Sequence, residues 1–344
     1  MPVLPALITF GVAFVLSWLG ARAAIHLGQH WGIADAPGGR RQHARLTPRL
    51  GVLPLSVGFV GAALVAQGFA LPTQDPNEGA RVLGALGGVV VLAVAGLADD
   101  RWQLSAGKQF LAQLLAAGIA IAALIFIERF TNPFTGQALI LPGVIVVALS
   151  LFWFMGMMNT VNWLDGVDGL ASTVALIAAG VTAAHMIREG QYSVALLPIG
   201  LAGTLLGFLV FNRPPARIFL GSGATTLGFL LACVGIIAGA KIALLMLVFG
   251  LPIADVAWQI FDRARSGRNP TAGDRGHLHF RLVDAGWPAG RIVALYAAAC
   301  GAFGLFALVP QSPVVKLVTL GLLFGAVILV LVVLSARTRP RGEG

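Results

Sequence analysis

The chain has 344 residues, of which 58% are hydrophobic and 11% charged, with a mean hydropathy of +0.88 and 44 Gly. A soluble protein of this length would show amphipathic patterns, whereas the apolar runs here are near-continuous, so a soluble protein is excluded in favour of an all-α, polytopic integral membrane protein. The net charge of +9 reads as charge on one membrane face, suited to anionic lipid headgroups, and no nucleic acid partner is expected.

Eleven runs are long enough to span about 30 Å of hydrocarbon. They fall at residues 3–21, 50–71, 81–98, 109–127, 139–158, 169–187, 193–211, 222–240, 242–260, 292–309 and 315–335. The first has no basic residue ahead of it and reads as an uncleaved helix. The ninth is the weakest as a simple span, because Pro252 and Asp255 interrupt its C-terminal half. Cys233 and Cys300 lie inside apolar runs and read as packing residues, with no disulfide framework.

Placing the N-terminus outside and alternating puts 18 of the 23 Lys and Arg on inner segments and ends with a cytoplasmic C-terminus. Arg81, Arg129, Arg188, Lys241 and Lys316 are the five left outside. The nine Asp residues other than Asp75 also fall inside. The polar chemistry is therefore expected on the cytoplasmic face of a single domain, 1–344, with loops near 22–49, 99–108, 159–168, 212–221 and 261–291.

Each inner loop carries its own chemistry. The first sets Arg40, Arg41, His43, Arg45 and Arg49 among Pro and Gly, which suits closure over an anionic ligand or anchorage to anionic lipid. In the second, the adjacent carboxylates of Asp99 and Asp100 repel each other unless a cation or proton intervenes, and Lys108 is placed to meet a phosphate. The third sets Asn159, Asn162, Asp165 and Asp168 at intervals of three, so adjacent members sit on neighbouring helical faces. Unpaired Asp and Asn in an apolar medium cost several kcal/mol, so this polar island reads as a functional site. Mg²⁺ needs only one or two carboxylates besides water and phosphate oxygens, so the set is adequate for it. In the fourth, Gly221-Ser222-Gly223 opens a helix whose free amides suit an anion. The fifth holds Arg263, Arg268 and His277-Leu278-His279, residues suited to anion or nucleobase contact; the histidine pair lacks the third ligand of a zinc site.

Together the motifs Asp99-Asp100 with Lys108, Asn162-x-x-Asp165-Gly-x-Asp168-Gly-Leu170, Phe219-Leu-Gly before Ser222-Gly, and His277-Leu-His279 before Arg281-Leu282 resemble the polyprenyl-phosphate N-acetylhexosamine-1-phosphate transferases. The resemblance runs from Asp35 to Leu282 and is closer to the GlcNAc-1-phosphate branch than to the muramoyl-pentapeptide branch. It implies a multi-pass enzyme of the bacterial cytoplasmic membrane, active on the cytoplasmic face. There a UDP-N-acetylhexosamine and undecaprenyl phosphate would meet over Mg²⁺, or Mn²⁺ in its place. The lipid phosphate would attack the sugar-proximal phosphorus and UMP would leave, starting an envelope glycan such as peptidoglycan, teichoic acid or O-antigen. By the same resemblance Asp99 and Asp100 bind or deprotonate the lipid phosphate, and Asp165 and Asp168 position metal or nucleotide. All four form the metal set. Lys108 contacts phosphate, and His277 and His279 hold the nucleotide. His43, Arg49, Asn159, Asn162, Ser222, Arg263 and Arg268 complete the expected substrate-binding set. Membrane lipids and, given the Gly content, a second protomer in a homodimer are the remaining expected partners.

The chain departs from the family pattern in places. Where the family reads Phe-Leu-Gly-Asp-Ser-Gly, Gly221 is followed directly by Ser222, so a carboxylate expected to bind metal is deleted. Phe280 stands where another His is usual, and Val52 follows Gly51 where the family has a second Gly. Loss of a direct metal ligand lowers metal affinity or rate, so a catalytically impaired relative that binds lipid carrier or nucleotide is the competing reading. A secondary transporter is the third, but it would require mid-membrane acids and paired internal repeats.

Overall fold

In lipid, every backbone N–H and C=O has to find its partner within the segment, so long apolar runs fold as helices. A computed structural model of the chain, which describes residues 2–35, 46–73, 75–132, 134–239, 242–267, 275–310 and 312–338, is helical apart from two short hairpins. In chain order the helices are α1 (Val3–Trp31), α2 (Val52–Gln67), α3 (Glu78–Trp102), α4 (Ala106–Ala122), α5 (Gly143–Leu164), α6 (Leu170–Arg188) and α7 (Tyr192–Asn212). They continue as α8 (Gly223–Ile237), α9 (Ile242–Val248), α10 (Gly250–Arg265), α11 (Leu278–Asp284), α12 (Ala289–Leu308) and α13 (Pro313–Thr338). Strand β1 (Ala34–Asp35) pairs antiparallel with β2 (Thr47–Pro48), and β3 (Arg129–Thr131) with β4 (Ala138–Ile140).

Every one of the eleven apolar runs coincides with a helix, but they are unequal in length. Among the described residues seven helices are long and apolar enough to cross a membrane, or eight if α9 and α10 form one bent span. The runs expected to cross as the second, fourth and eighth spans are the shorter helices α2, α4 and α8. α8 shows what hydropathy leaves out: its 15 residues are buried almost end to end. Its apolar side chains are covered by protein instead of lipid, a distinction composition cannot make. The ninth run divides as well, bending by 80° between α9 and α10. The break lies ahead of Pro252 and Asp255; Pro252 sits in the first turn of α10, where a missing N–H costs nothing.

Glycine sets the helix spacing. α7 packs against α1, α2 and α6. A Cβ at Gly203 or Gly207 would stand 2.4 Å from the carbonyl oxygens of Phe10 and Phe14 on α1, so only hydrogen fits at this pair four residues apart. At Gly228 of α8 a Cβ would fall 2.6 Å from the Met157 carbonyl oxygen, which brings α8 against α5 backbone to backbone.

At one end of the bundle the connecting segments bind one another. Phe219 N–H donates to Pro48 O at 2.8 Å and Gly51 N–H to Phe219 O at 3.1 Å, joining the first loop to the fourth. Asp168 Oδ2 accepts the Ala216 N–H at 2.8 Å, and the Ser172 hydroxyl donates to Asn212 Oδ1 at 2.8 Å, joining the third loop to the fourth. Gly166 lies against the His279 and Phe280 rings, joining the third to the fifth.

Candidate active site

The last turn of α3 supplies two carboxylates with different surroundings. Gln103 ends the helix in the left-handed region (φ 50°), and its N–H bonds back to Asp99 O at 2.8 Å. That reversal turns the next amide onto the side chain: Leu104 N–H donates to Asp99 Oδ1 at 2.8 Å. The Gln109 side-chain amide donates to the same oxygen at 2.9 Å. Asp100, 9% exposed, is held from the other side. Its Oδ1 accepts the Ser222 N–H at 3.1 Å and its Oδ2 the Ser222 hydroxyl at 2.9 Å.

The Gly221-Ser222 turn makes this contact possible. Gly221 has φ +56°, and a Cβ there would lie 2.3 Å from Arg49 O and 2.8 Å from Asp100 Oδ1, so the turn accepts glycine alone. Gly96, one turn before Asp100, leaves the room that the Ser222 hydroxyl occupies, 2.5 Å from where its Cβ would be.

A cleft of about 190 Å³ opens beside this cluster, and Arg49, Asp99, Gln109, Gln113, Asn162 and Ser222 contribute its polar wall. The structure thus brings together four residues expected from sequence: Arg49, Asp99, Asn162 and Ser222. Two more adjoin them. Asp100 is bonded to Ser222, and the Asn159 amide donates to Gln113 Oε1 at 3.2 Å and to Met155 O at 2.8 Å. Gln109 and Gln113 were not singled out; their signal is two amides four residues apart on one face of an otherwise apolar helix.

The remaining expected residues lie elsewhere. Lys108 is exposed on the first turn of α4 and does not line the cleft. Asp165 is buried at the C-terminal cap of α5, and Asp168 accepts the Ala216 amide; neither lines the cleft. Arg263, His277 and His279 are 1%, 4% and 0% exposed and form part of a packed wall. There Asp255, Gln259 and Arg263 repeat every four residues along the buried face of α10. His43 and Arg268, with Arg40, Arg41 and Arg45 of the first loop, lie outside the described residues.

Among the described residues no three His, Cys, Asp or Glu side chains come together to hold a metal ion. The four-carboxylate metal set is thus not gathered at one point. One lining carboxylate among side-chain amides still suits a hard cation that takes one or two carboxylates and completes its coordination with water and phosphate oxygens. Arg49 adds a cation whose planar fork matches phosphate oxygens.

Comparison with known proteins covers the same region. A family model described as Glycosyl transferase family 4 matches residues 82–239, from α3 to the end of α8. The chain is 30% identical to the probable undecaprenyl-phosphate N-acetylglucosaminyl 1-phosphate transferase of Bacillus subtilis, over 80% of this chain and 77% of that protein. It is 29% identical to the decaprenyl-phosphate N-acetylglucosaminephosphotransferase of Mycolicibacterium smegmatis, over 98% of this chain and 88% of that one. A phospho-N-acetylmuramoyl-pentapeptide-transferase of Anoxybacillus flavithermus is 32% identical over 52% of this chain and 58% of its own.

Proposed function

We propose a reaction for this site from one premise: the chain belongs to glycosyl transferase family 4, the polyprenyl-phosphate N-acetylhexosamine-1-phosphate transferases. It transfers GlcNAc-1-phosphate from UDP-GlcNAc to undecaprenyl phosphate and releases UMP, at the cytoplasmic face of a bacterial inner membrane. The observation that carries this reading is the meeting of Arg49, Asp99, Asn162 and Ser222 on one cleft. The whole chain acts as one transmembrane domain with its N-terminus outside, the bent pair and the three short helices counting toward eleven crossings.

A phosphate oxygen of the lipid carrier forms a bond to the sugar-proximal phosphorus as the bond from that phosphorus to the UMP oxygen breaks. Charge neutralisation and in-line positioning matter more here than a strong protein nucleophile. Asp99, fixed through Oδ1, takes the proton of the entering phosphate when that group arrives protonated. Arg49 pairs with the diphosphate, and the side-chain amides of Asn162 and Gln113 hydrogen-bond its oxygens and the ribose of the nucleotide. When the entering phosphate arrives already deprotonated, Asp99 would instead hold Mg²⁺ or Mn²⁺, whose charge would neutralise the diphosphate oxygens. Asp100 is the anchor of the Gly221-Ser222 turn. Purified protein given UDP-GlcNAc, undecaprenyl phosphate and Mg²⁺ is expected to release UMP; no UMP across several UDP-sugars would refute the reading.

One observation favours a second reading, a binding protein of impaired activity. With no Asp after Gly221, Ser222 commits both Asp100 oxygens and the turn carries no carboxylate of its own. Inserting Asp between Gly221 and Ser222 distinguishes the two. A steep rise in UMP release from a near-silent parent supports impairment, whereas a fall supports a short turn already adapted to transfer.

A further inference from the structure

Asp255 has no part in the reaction above, yet it is 3% exposed and both of its oxygens are committed to the segment bearing the two histidines. Oδ1 accepts the Leu278 N–H at 3.0 Å, and Oδ2 lies 3.0 Å from His277 Nδ1. An ionised carboxylate only accepts, so the bond requires the proton on Nδ1, and in the neutral ring Nε2 is then the nitrogen that carries the lone pair. The neighbouring backbone is fixed as well: Gly276 O accepts from Gln259 Nε2 and from Arg281 Nε, both at 2.6 Å.

The His277 ring stacks on His279, with centroids 5.6 Å apart and planes 10° apart, and lies 6.1 Å from the Trp163 ring of α5. Trp163 directly follows Asn162, one of the cleft-lining amides. A continuous line of contacts therefore leads from Asp255 on α10, through His277, to the last turn of α5. With 4% of its surface exposed, His277 acts behind the cleft wall.

We propose that Asp255 is a positioning residue of the transferase site, fixing the tautomer and plane of His277 and thereby seating Trp163 and the Asn162 amide. This rests on the reading of the cleft as the site of the nucleotide sugar. Partners that orient metal-ligating imidazoles are worth about 10- to 100-fold when removed, and the lower end of that range is the loss expected here.

The test uses the full-length protein in lipid nanodiscs. Asp255→Asn keeps an acceptor for Leu278 but offers His277 an N–H where it had an oxygen, so the ring must shift its proton to Nε2. In protein labelled with ¹⁵N at the histidine rings, with His277 assigned by the signal lost in His277→Gln, that shift is directly visible. The expected result is the switch from the Nδ1–H to the Nε2–H pattern with about a tenfold fall in kcat/KM for UDP-GlcNAc. The double variant Asp255→Asn/His277→Gln should be no worse than His277→Gln alone. An unswitched ring, an unchanged kcat/KM, or losses that add in the double variant would overturn the proposal. If Asp255→Asn does not fold, the unmodified protein and His277→Gln decide together: an Nδ1–H ring in the first with about a tenfold loss in the second supports the proposal, and an Nε2–H ring or full activity refutes it. If the unmodified chain releases no UMP, the transfer reading fails separately. The ring spectrum and UDP affinity by calorimetry then decide this one, a switch with about tenfold weaker UDP supporting it and no change in either refuting it.

Discussion

At the scale of single residues, Asp99 and Asp100 separate into different roles despite their adjacency. Asp99 lines the cleft with one oxygen pinned, so Asp99→Asn should lower UMP release by about 10²-fold or more, as loss of a general acid–base group does. Ser222→Ala removes the hydroxyl on Asp100 Oδ2 and leaves a buried carboxylate oxygen without that donor. It is expected to cost about 1–3 kcal/mol, read as a lower unfolding midpoint in detergent. Asp168 makes a contrasting case, because an amide oxygen can replace its bond to Ala216 N–H. Asp168→Ala, which removes that acceptor, should therefore lose more activity than Asp168→Asn, both read by the UMP assay. The sequence made these carboxylates conspicuous, since acids among apolar runs are rare. It could not assign them, because Asp165 and Asp168 share a spacing with Asn162 but the chain reverses at Gly166 and Gly169, and the helical register that would align them stops at Leu164. The role of Asp255 was hidden because it stands 22 positions from His277, and only the packing of the start of α11 against α10 makes them neighbours.

At the scale of elements, close helix approach depends on a few glycines with no spare room. Gly203→Ala sets a methyl carbon against the Phe10 carbonyl, a backbone atom that cannot turn aside, and α1 has to withdraw from α7. About 1–3 kcal/mol of destabilisation is expected, measurable as earlier unfolding in denaturant. Gly180→Ala, where a Cβ would meet nothing within 4 Å, is the matched control and should be neutral. The helices themselves were legible, because continuous apolar runs leave the backbone no other way to satisfy its hydrogen bonds. Their lengths and partners were not. Hydropathy scores a side chain identically whether lipid or protein covers it, so the burial of α8 was not visible, nor was it visible that α2, α4 and α8 are shorter than the other helices. The 80° bend could not be read from Pro252, which occupies a first-turn position that any helix tolerates.

At the scale of the whole molecule, the proposed orientation puts the cleft end of the bundle in the cytoplasm. Cys233 and Cys300 are each 1% exposed and should stay silent toward aqueous thiol reagents. Lys108→Cys should then react with an impermeant maleimide in inverted vesicles, and Thr73→Cys only in right-side-out cells; the reverse pattern would invert the topology. The burial of α8 also bears on how the protein is made. Of the helices that chiefly enclose it, α2, α3, α4, α5, α6 and α7 all precede it in the chain, and only α9 follows. Since membrane chains are inserted from the N-terminus onward, the walls of its slot are synthesised before α8 leaves the ribosome. A segment too short to wait stably in lipid can pass directly into a waiting protein groove. Producing α8–α13 as a separate chain before α1–α7 is made would remove that advantage and should expose that fragment to degradation, even though every contact of the finished fold would still be available.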